Sequence, residues 1–322
     1  MSIQQLEHAV AVSSEQFKVS PDFLTGAMHQ LEKLMHEVVN SEVEILRDAS
    51  RHILEAGGKR IRPRLVLLSF AACGGEDLTP VMPVAAAVEL VHTASVVHDD
   101  INDHGVLRRG RPSVNSIWGR TFALLTGDFL FTKVYELMAP YKDLNIVLAE
   151  ATSALVEGET LQAAAVKQNN FTRETYYRII ALKTAALFRA AARLGAELAD
   201  ADDALIDALS HYGYQIGLAF QIIDDVLDIV GSSEQLGKTS GIDVAQGRGF
   251  AVAYRAAHSE ENAEDPMAAI RRKVMDGDTL QEAYAQAHRL VEMAVASLEP
   301  LPESEAKRAL VELAISVVER SA

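Results

Sequence analysis

The sequence predicts an all-α protein, a helical bundle, on three observations. Only 9 of the 322 residues are proline and 6% are aromatic; long Ala/Leu/Glu-rich stretches repeat apolar positions at the helical period; and no run alternates apolar with polar residues as a half-buried strand does. With 49% hydrophobic residues the chain can bury a large core. No shift in composition divides it, so a single domain over 1–322 is expected, with 1–19 a peripheral N-terminal segment.

The elements follow from caps and breakers. Ser20-Pro21 supplies a cap and then proline at the first helical position, opening a helix that runs toward Val39. Asn40-Ser41 breaks it, and a second helix continues to about Ala56, closed by Gly57-Gly58. Thr79-Pro80 repeats the cap-and-proline signal for a helix that Gly105 ends. Further helices are expected at 114–139, 143–166, 173–198, 202–230, 245–258, 264–275, 278–298 and 303–320. Gly231 to Gly249, rich in Gly, Ser and Lys, reads as a loop, and Ser259 to Asp265 as an acidic connection.

The net charge of −15 argues against a nucleic-acid partner, because phosphate backbones are bound by basic surfaces. Cationic residues nevertheless cluster, at Gly57-Gly58-Lys59-Arg60-Ile61-Arg62-Pro63-Arg64 and at Arg108-Arg109-Gly110-Arg111-Pro112, which points to a local anion site. One cysteine, Cys73, excludes an internal disulfide. The first residues lack a signal-peptide pattern, and no run approaches the roughly eighteen apolar residues of a membrane span, so a cytoplasmic protein without a transmembrane segment is expected.

The strongest functional signal is a repeated Asp-Asp-x-x-Asp, at Asp99, Asp100, Asp103 and at Asp224, Asp225, Asp228. Each copy ends an apolar run, VAAAVELVHTASVV at 84–97 and IGLAFQII at 216–223. At 3.6 residues per turn the first and last aspartates of each motif share a face and the middle one turns to the flank. One such cluster commonly marks a solvated helix end, but two on apolar helices do not. Like charges about 6 Å apart repel by roughly 3 kcal/mol at an effective dielectric near 20, so a cation must neutralise them. Mg²⁺ suits carboxylate oxygen and is commonly completed by substrate phosphates, so two facing claws could grip a diphosphate.

Five segments in order, GGKRIRP at 57–63, HTASVVHDDIND at 92–103, LRRGRPSVN at 107–115, LKTAALF at 182–188 and FQIIDDVLD at 220–228, resemble the trans-isoprenyl diphosphate synthases, or polyprenyl synthetases, from about residue 25 to the end. The resemblance implies an isoprenoid-synthase bundle around a deep central cavity, usually a homodimer. It also implies elongation of an allylic diphosphate (geranyl, farnesyl or geranylgeranyl) by isopentenyl diphosphate, with Mg²⁺. By motif, Asp99, Asp103 and Asp224 match the principal metal ligands, with Asp100, Asp225 and Asp228 supporting or binding through water. Lys59, Arg62, His92 and Arg109 match the isopentenyl diphosphate site; Arg108, Lys183, Thr184, Gln221 and Lys238 match the allylic diphosphate site.

Spacing agrees in part. His92 lies seven residues before Asp99, and Gln221 three before Asp224, so both can face one cavity. Lys183 within IIALKTAALF needs a snorkelling route or an anion. Arg60, Arg64 and Arg111 read as solvated. Where the family has Gly-Lys-x-Thr-Leu-Pro, this chain has Gly247-Arg248-Gly249-Phe250-Ala251-Val252, which keeps a charge as a planar fork and loses the Thr and Pro.

Ser95 and Ala94, four and five residues before Asp99, are small, where short-chain members tend to place bulky aromatics, so a medium- or long-chain product resembling octaprenyl or solanesyl diphosphate is expected. Transient membrane contact would then serve product release. Phe131, Tyr135 and Met138 recur at helical spacing, and Tyr135 or Met138 is expected near the cavity floor. Rival readings are a geranylgeranyl or farnesyl synthase and a regulatory subunit of a heteromeric synthase. A terpene cyclase would lack the isopentenyl site and the second DDxxD. A di-iron protein would need a second Glu-x-x-His beside Glu89 and His92.

Overall fold

The computed structural model describes residues 21–168, 170–230, 249 and 278–319. The helices predicted at 245–258 and 264–275, the loop after the second acidic motif apart from Gly249, and Lys238 lie outside these residues. The described chain is helical, in the order α1 Pro21–Val38, α2 Glu44–Glu55, α3 Ile61–Ala72, α4 Val81–Asn102, α5 Val114–Met138, α6 Lys142–Lys167, α7 Arg173–Ile180, a π-helical turn Ala181–Ala185, α8 Ala186–Leu198, α9 Asp203–Val230, α10 Asp278–Ser297 and α11 Glu305–Val318. One cluster of buried apolar side chains extends from Ala27 to Val318.

Periodicity explains the outer helices. On α1 the fully buried Ala27, Leu31 and Met35 recur every fourth residue and Val39 continues the stripe, flanked by partly buried Leu24, Met28, Leu34 and Val38, while polar residues take the outer face. Side-chain caps start α5, α7 and α11: Ser113, Thr172 and Ser304 each accept from the backbone N–H three residues on. At α4 the expected cap is wrong. Pro80 itself occupies the cap position without a side-chain bond, and the backbone N–H of Thr79 donates to Asp77 Oδ1 at 2.9 Å.

Two helices are buried around nearly their whole circumference. In α4 the buried set runs from Val81 to Ile101, and in α3 every residue from Ile61 to Ala72 except Arg64 and Ala71 is buried. The sequence reading passed from Gly58 to Thr79 without proposing α3, because an all-round apolar segment shows no helical stripe and Pro63 reads as a breaker; in the first turn proline is tolerated. Although α4 is long and apolar enough to cross a membrane, contrary to the expectation that no run is, 78% of its apolar window is buried inside the bundle.

Helix α4 packs most extensively on α5, α9 on α8 and α10, and α3 on α8. Two interruptions were not foreseen. Gly119 (φ 80, ψ 167) kinks α5, and the expected continuous helix over 173–198 contains the π turn at 181–185. A third departure is a two-residue antiparallel ribbon, β1 Leu107–Arg108 with β2 Arg111–Pro112. Its turn residues Arg109 (φ 52) and Gly110 (φ 74) are both left-handed, as a two-residue I′ hairpin requires.

Candidate active site

The C-terminal end of α4, the ribbon after it, the π turn and α9 enclose a cavity of about 200 Å³. From α4 come His92, Ser95, Asp99 and Asp100, with Asp103 at its C-cap; from α9 come Phe220, Gln221 and Asp224. Arg62 of α3, Arg108 of the ribbon, Leu155 of α6, and Lys183 and Thr184 of the π turn complete the wall. The two acidic motifs therefore contribute to one enclosed site, with cations between and behind them.

Lys183 is placed by the π turn, where one extra residue per turn shifts the side chains relative to a regular helix. Its ammonium pairs with Glu159 of α6 and lies 3.7 Å from Asp99 Oδ2. Gly158 permits this approach, since a Cβ there would lie 2.6 Å from the Lys183 backbone nitrogen. Burial raises the Asp99 pKa to about 6; Lys183 pulls it down, whereas Glu159 and Asp103 push it up. Glu159 was missed, because within VEGETLQ it reads as one of several exposed glutamates.

The hairpin separates its two arginines. Arg108 Nε and Nη2 donate to Asp100 Oδ1 at 3.0 and 2.5 Å. Burial raises the Asp100 pKa while the Arg108 bond opposes the rise, so Asp100 holds an arginine at the cavity wall. Arg109 instead lies against Gly58, whose missing side chain makes room: a Cβ there would meet the Arg109 guanidinium at 2.5 Å. Arg109 and Lys59 do not line this cavity, and Lys59 is exposed.

At the other end, Arg62 and His92 share the wall. The Arg62 guanidinium sits 4.7 Å from the Phe188 ring centroid, a cation–π contact that braces it. Burial and the nearby charges of Arg62, Arg109, Arg108 and Arg60 push the His92 pKa well below its usual value, leaving a neutral imidazole among arginines. Arg60, read as solvated, is buried at 6% exposure. It donates to Glu32 at 2.7 Å, to Glu89 at 2.8 Å and to the Leu54 carbonyl at 2.9 Å from a left-handed backbone (φ 47). That anchor fixes the start of α3, on which Arg62 sits, and it occupies the Glu89 of the superficial di-iron motif.

The second motif divides unequally. Only Asp224 reaches the main cavity. Asp225 accepts from Tyr176 Oη at 2.8 Å and from Gln221 Nε2 at 2.7 Å, beside a smaller cavity of about 70 Å³. Asp228, expected among the metal ligands, is 1% exposed and lines neither cavity. Among the described residues no three carboxylate, imidazole or thiol groups converge tightly enough to hold an ion by themselves. The donor set of Asp99, Asp103 and Asp224 around one cavity fits a hard divalent cation completed by substrate oxygens, which is how Mg²⁺ is commonly held.

Of the expected chain-length residues, Ser95 lines the cavity, Ala94 and Met138 are fully buried, and Phe131 lies 6.0 Å from the His98 ring. Tyr135 is 68% exposed and so does not lie at a cavity floor within this chain, which removes Tyr135 from the expected pair and leaves Met138. Helical spacing alone could not say which side of α5 faces inward.

The polyprenyl synthetase family profile matches residues 43–287. The chain is 37% identical over 316 residues to "Heptaprenyl diphosphate synthase component 2" of Geobacillus stearothermophilus, covering 94% of this chain and 98% of that one. It is 34% identical over 302 residues to "Octaprenyl diphosphate synthase" of Escherichia coli (strain K12), covering 88% and 93%. Among solved structures, a polyprenyl synthase from Caulobacter crescentus CB15, complexed with calcium and isoprenyl diphosphate, superposes with a TM-score of 0.88 at 33% identity, covering 96% of this chain and all of that one. Shared motifs, shared fold and near full-length similarity lead to one conclusion: the chain belongs to the polyprenyl synthetase family.

Proposed function

We propose that this chain, as one domain, condenses isopentenyl diphosphate with an allylic diphosphate (geranyl, farnesyl or geranylgeranyl) to give a medium- or long-chain trans-polyprenyl diphosphate. The observation that carries the reading is the placement of Asp99, Asp103, Asp224, Arg108 and Lys183 around one cavity that also receives Arg62 and His92. Mg²⁺ held by Asp99, Asp103 and Asp224 would neutralise the departing diphosphate. Lys183 and Arg108 take up charge that develops on the leaving oxygens as the allylic C–O bond breaks and its electron pair leaves with the diphosphate.

Arg62 and His92 hold isopentenyl diphosphate at the other end. Its double bond attacks the allylic cation, a C–C bond forms, and a proton passes to the released diphosphate as the new trans alkene closes. His92, with its depressed pKa, serves as a neutral hydrogen-bonding group rather than a second cation. The apolar walls at Leu155 and Phe220 exclude water from the cation.

A homodimer suits the exposed apolar side chains Phe122, Leu124 and Leu125 on α5 and Ile146 and Val156 on α6. The relative named as a component 2 favours, as a second reading, assembly with a different subunit. The proposed setting is the cytoplasm, with brief membrane contact for product release. Purified protein, Mg²⁺, labelled isopentenyl diphosphate and each primer in turn test the proposal by sizing of the dephosphorylated lipids. Failure to elongate any primer overturns it; elongation only when a second subunit is added selects the heteromeric reading.

A further inference from the structure

A hydrogen-bonded chain runs behind the cavity wall from α7 through α9 to the π turn. Tyr176 Oη donates to Asp225 Oδ2 at 2.8 Å, Gln221 Nε2 donates to Asp225 Oδ1 at 2.7 Å, and Thr184 Oγ1 donates to Gln221 Oε1 at 2.8 Å. Tyr176 is 1% exposed, Thr184 4% and Asp225 6%, while Gln221 between them is half-buried where it lines the cavity. Its direction follows from chemistry. A carboxylate only accepts, so the Gln221 amide must turn its NH₂ to Asp225 and its carbonyl to Thr184. The single Thr184 hydroxyl proton is then committed to that carbonyl.

We infer that Tyr176 and Asp225 are positioning residues that set this proton order, so that Thr184 presents oxygen lone pairs, and no proton, to the cavity it lines beside Lys183. The inference deepens the prenyl-transfer reading and rests on it. A hydroxyl in this state cannot donate to a phosphate oxygen, and its lone pairs repel one. It is suited to the carbon end of the allylic group, where positive charge develops when the C–O bond breaks. Lys183, the adjacent residue, remains for the diphosphate. Reversing the order would turn the Thr184 proton toward the cation and make the same hydroxyl a diphosphate donor.

Three variants separate this from a packing role. Tyr176→Phe keeps the ring and removes the donor; kcat is expected to fall about tenfold, equivalent to one hydrogen bond to a charged group, with KM for isopentenyl diphosphate within about twofold of the parent. Asp225→Asn lets the amide chain reverse; kcat is expected to fall about a hundredfold while an unreactive allylic S-thiolodiphosphate binds as tightly as to the parent or more tightly. Thr184→Ser retains most of kcat, and Thr184→Val does not. Thermal midpoints and circular dichroism of each variant accompany the kinetics.

The inference is overturned if Tyr176→Phe and Asp225→Asn keep kcat within about twofold of the parent, or if kcat and analogue affinity fall together in both. It is also overturned if Thr184→Val matches Thr184→Ser. Should Asp225→Asn fail to fold, the Tyr176→Phe split and the Thr184 pair decide it alone. Should the parent itself elongate no primer, the prenyl-transfer reading is what fails, and this inference falls with it; an active parent with indifferent variants refutes the inference alone.

Discussion

The Lys183 ammonium lies 3.7 Å from the first aspartate of the first acidic motif, Asp99, while it pairs with Glu159 on a different helix. One cation thus ties α4 and α6 together at the point where the leaving diphosphate is proposed to sit. Lys183→Ala should lower kcat by about a hundredfold or more, because a preorganised charge at the leaving group is lost, and should raise KM for the allylic substrate more than for isopentenyl diphosphate. Steady-state kinetics with each substrate varied in turn check this.

His92 gives the protein a pH signature. Its folded pKa is depressed below the unfolded value, so as pH falls through about 6.5 the unfolded chain binds a proton that the folded chain does not. Stability due to this group is therefore present above about pH 6.5 and is lost below it, at a limiting slope of about 1.4 kcal/mol per pH unit. Asp99 acts in the opposite sense at lower pH, because its raised pKa makes the folded state the better proton binder between about 4 and 6. Comparing His92→Gln with the parent by urea unfolding at pH 7.5, 6.5 and 5.5 isolates the histidine: the parent should lose stability relative to the variant as pH falls.

Arg60 and Glu89 form a buried ion pair at 2.8 Å, with side-chain exposures of 5% and 2%. Removing Glu89 leaves buried Arg60 with only the part-exposed Glu32 as an ion partner, so Glu89→Ala should cost about 3 kcal/mol, the low end for breaking a buried pair. Because Arg60 anchors the backbone that leads to Arg62, KM for isopentenyl diphosphate should also rise, with the allylic KM less affected. Denaturant melts and the two KM values test this, and a large stability loss with both KM values unchanged would refute the anchoring role.

Much of the bundle was legible because its outer helices carry a clear apolar stripe and are separated by Gly, Asn and Pro breakers. The acidic motifs stood out because they end runs too apolar to be solvated. What was not legible depends on tertiary placement. Helix α3 is apolar on every side and has no period to read. The π turn adds one residue to a helical turn without changing composition, yet it sets where Lys183 and Thr184 point. Arg60 sits in a basic run that reads as solvated until Glu32 and Glu89 arrive from other helices. Arg108 and Arg109 look equivalent in sequence, and only the left-handed turn between them sends one to Asp100 and the other to Gly58. Tyr176 lies 49 residues from its partner Asp225, beyond any local pattern.

Product length offers the last test. Ser95 lies four residues before Asp99, about 6 Å down α4, and it lines the cavity at 9% exposure, while Ala94 beside it is fully buried in the core. A phenylalanine at 95 projects into the space a growing tail must pass, whereas one at 94 would first have to displace packed neighbours. Ser95→Phe should therefore shorten the main product with little loss of folding, and Ala94→Phe should lower the thermal midpoint as overpacking does. Tyr135 stands 68% exposed on α5, so Tyr135→Ala should leave the distribution unchanged, while Met138→Ala, which opens buried volume on the same helix, is the change expected to lengthen it. Chromatographic sizing of the products from all four variants checks the set. Lengthening by Tyr135→Ala alone would instead mean that the tail leaves the single-chain core and runs along the exposed face of α5.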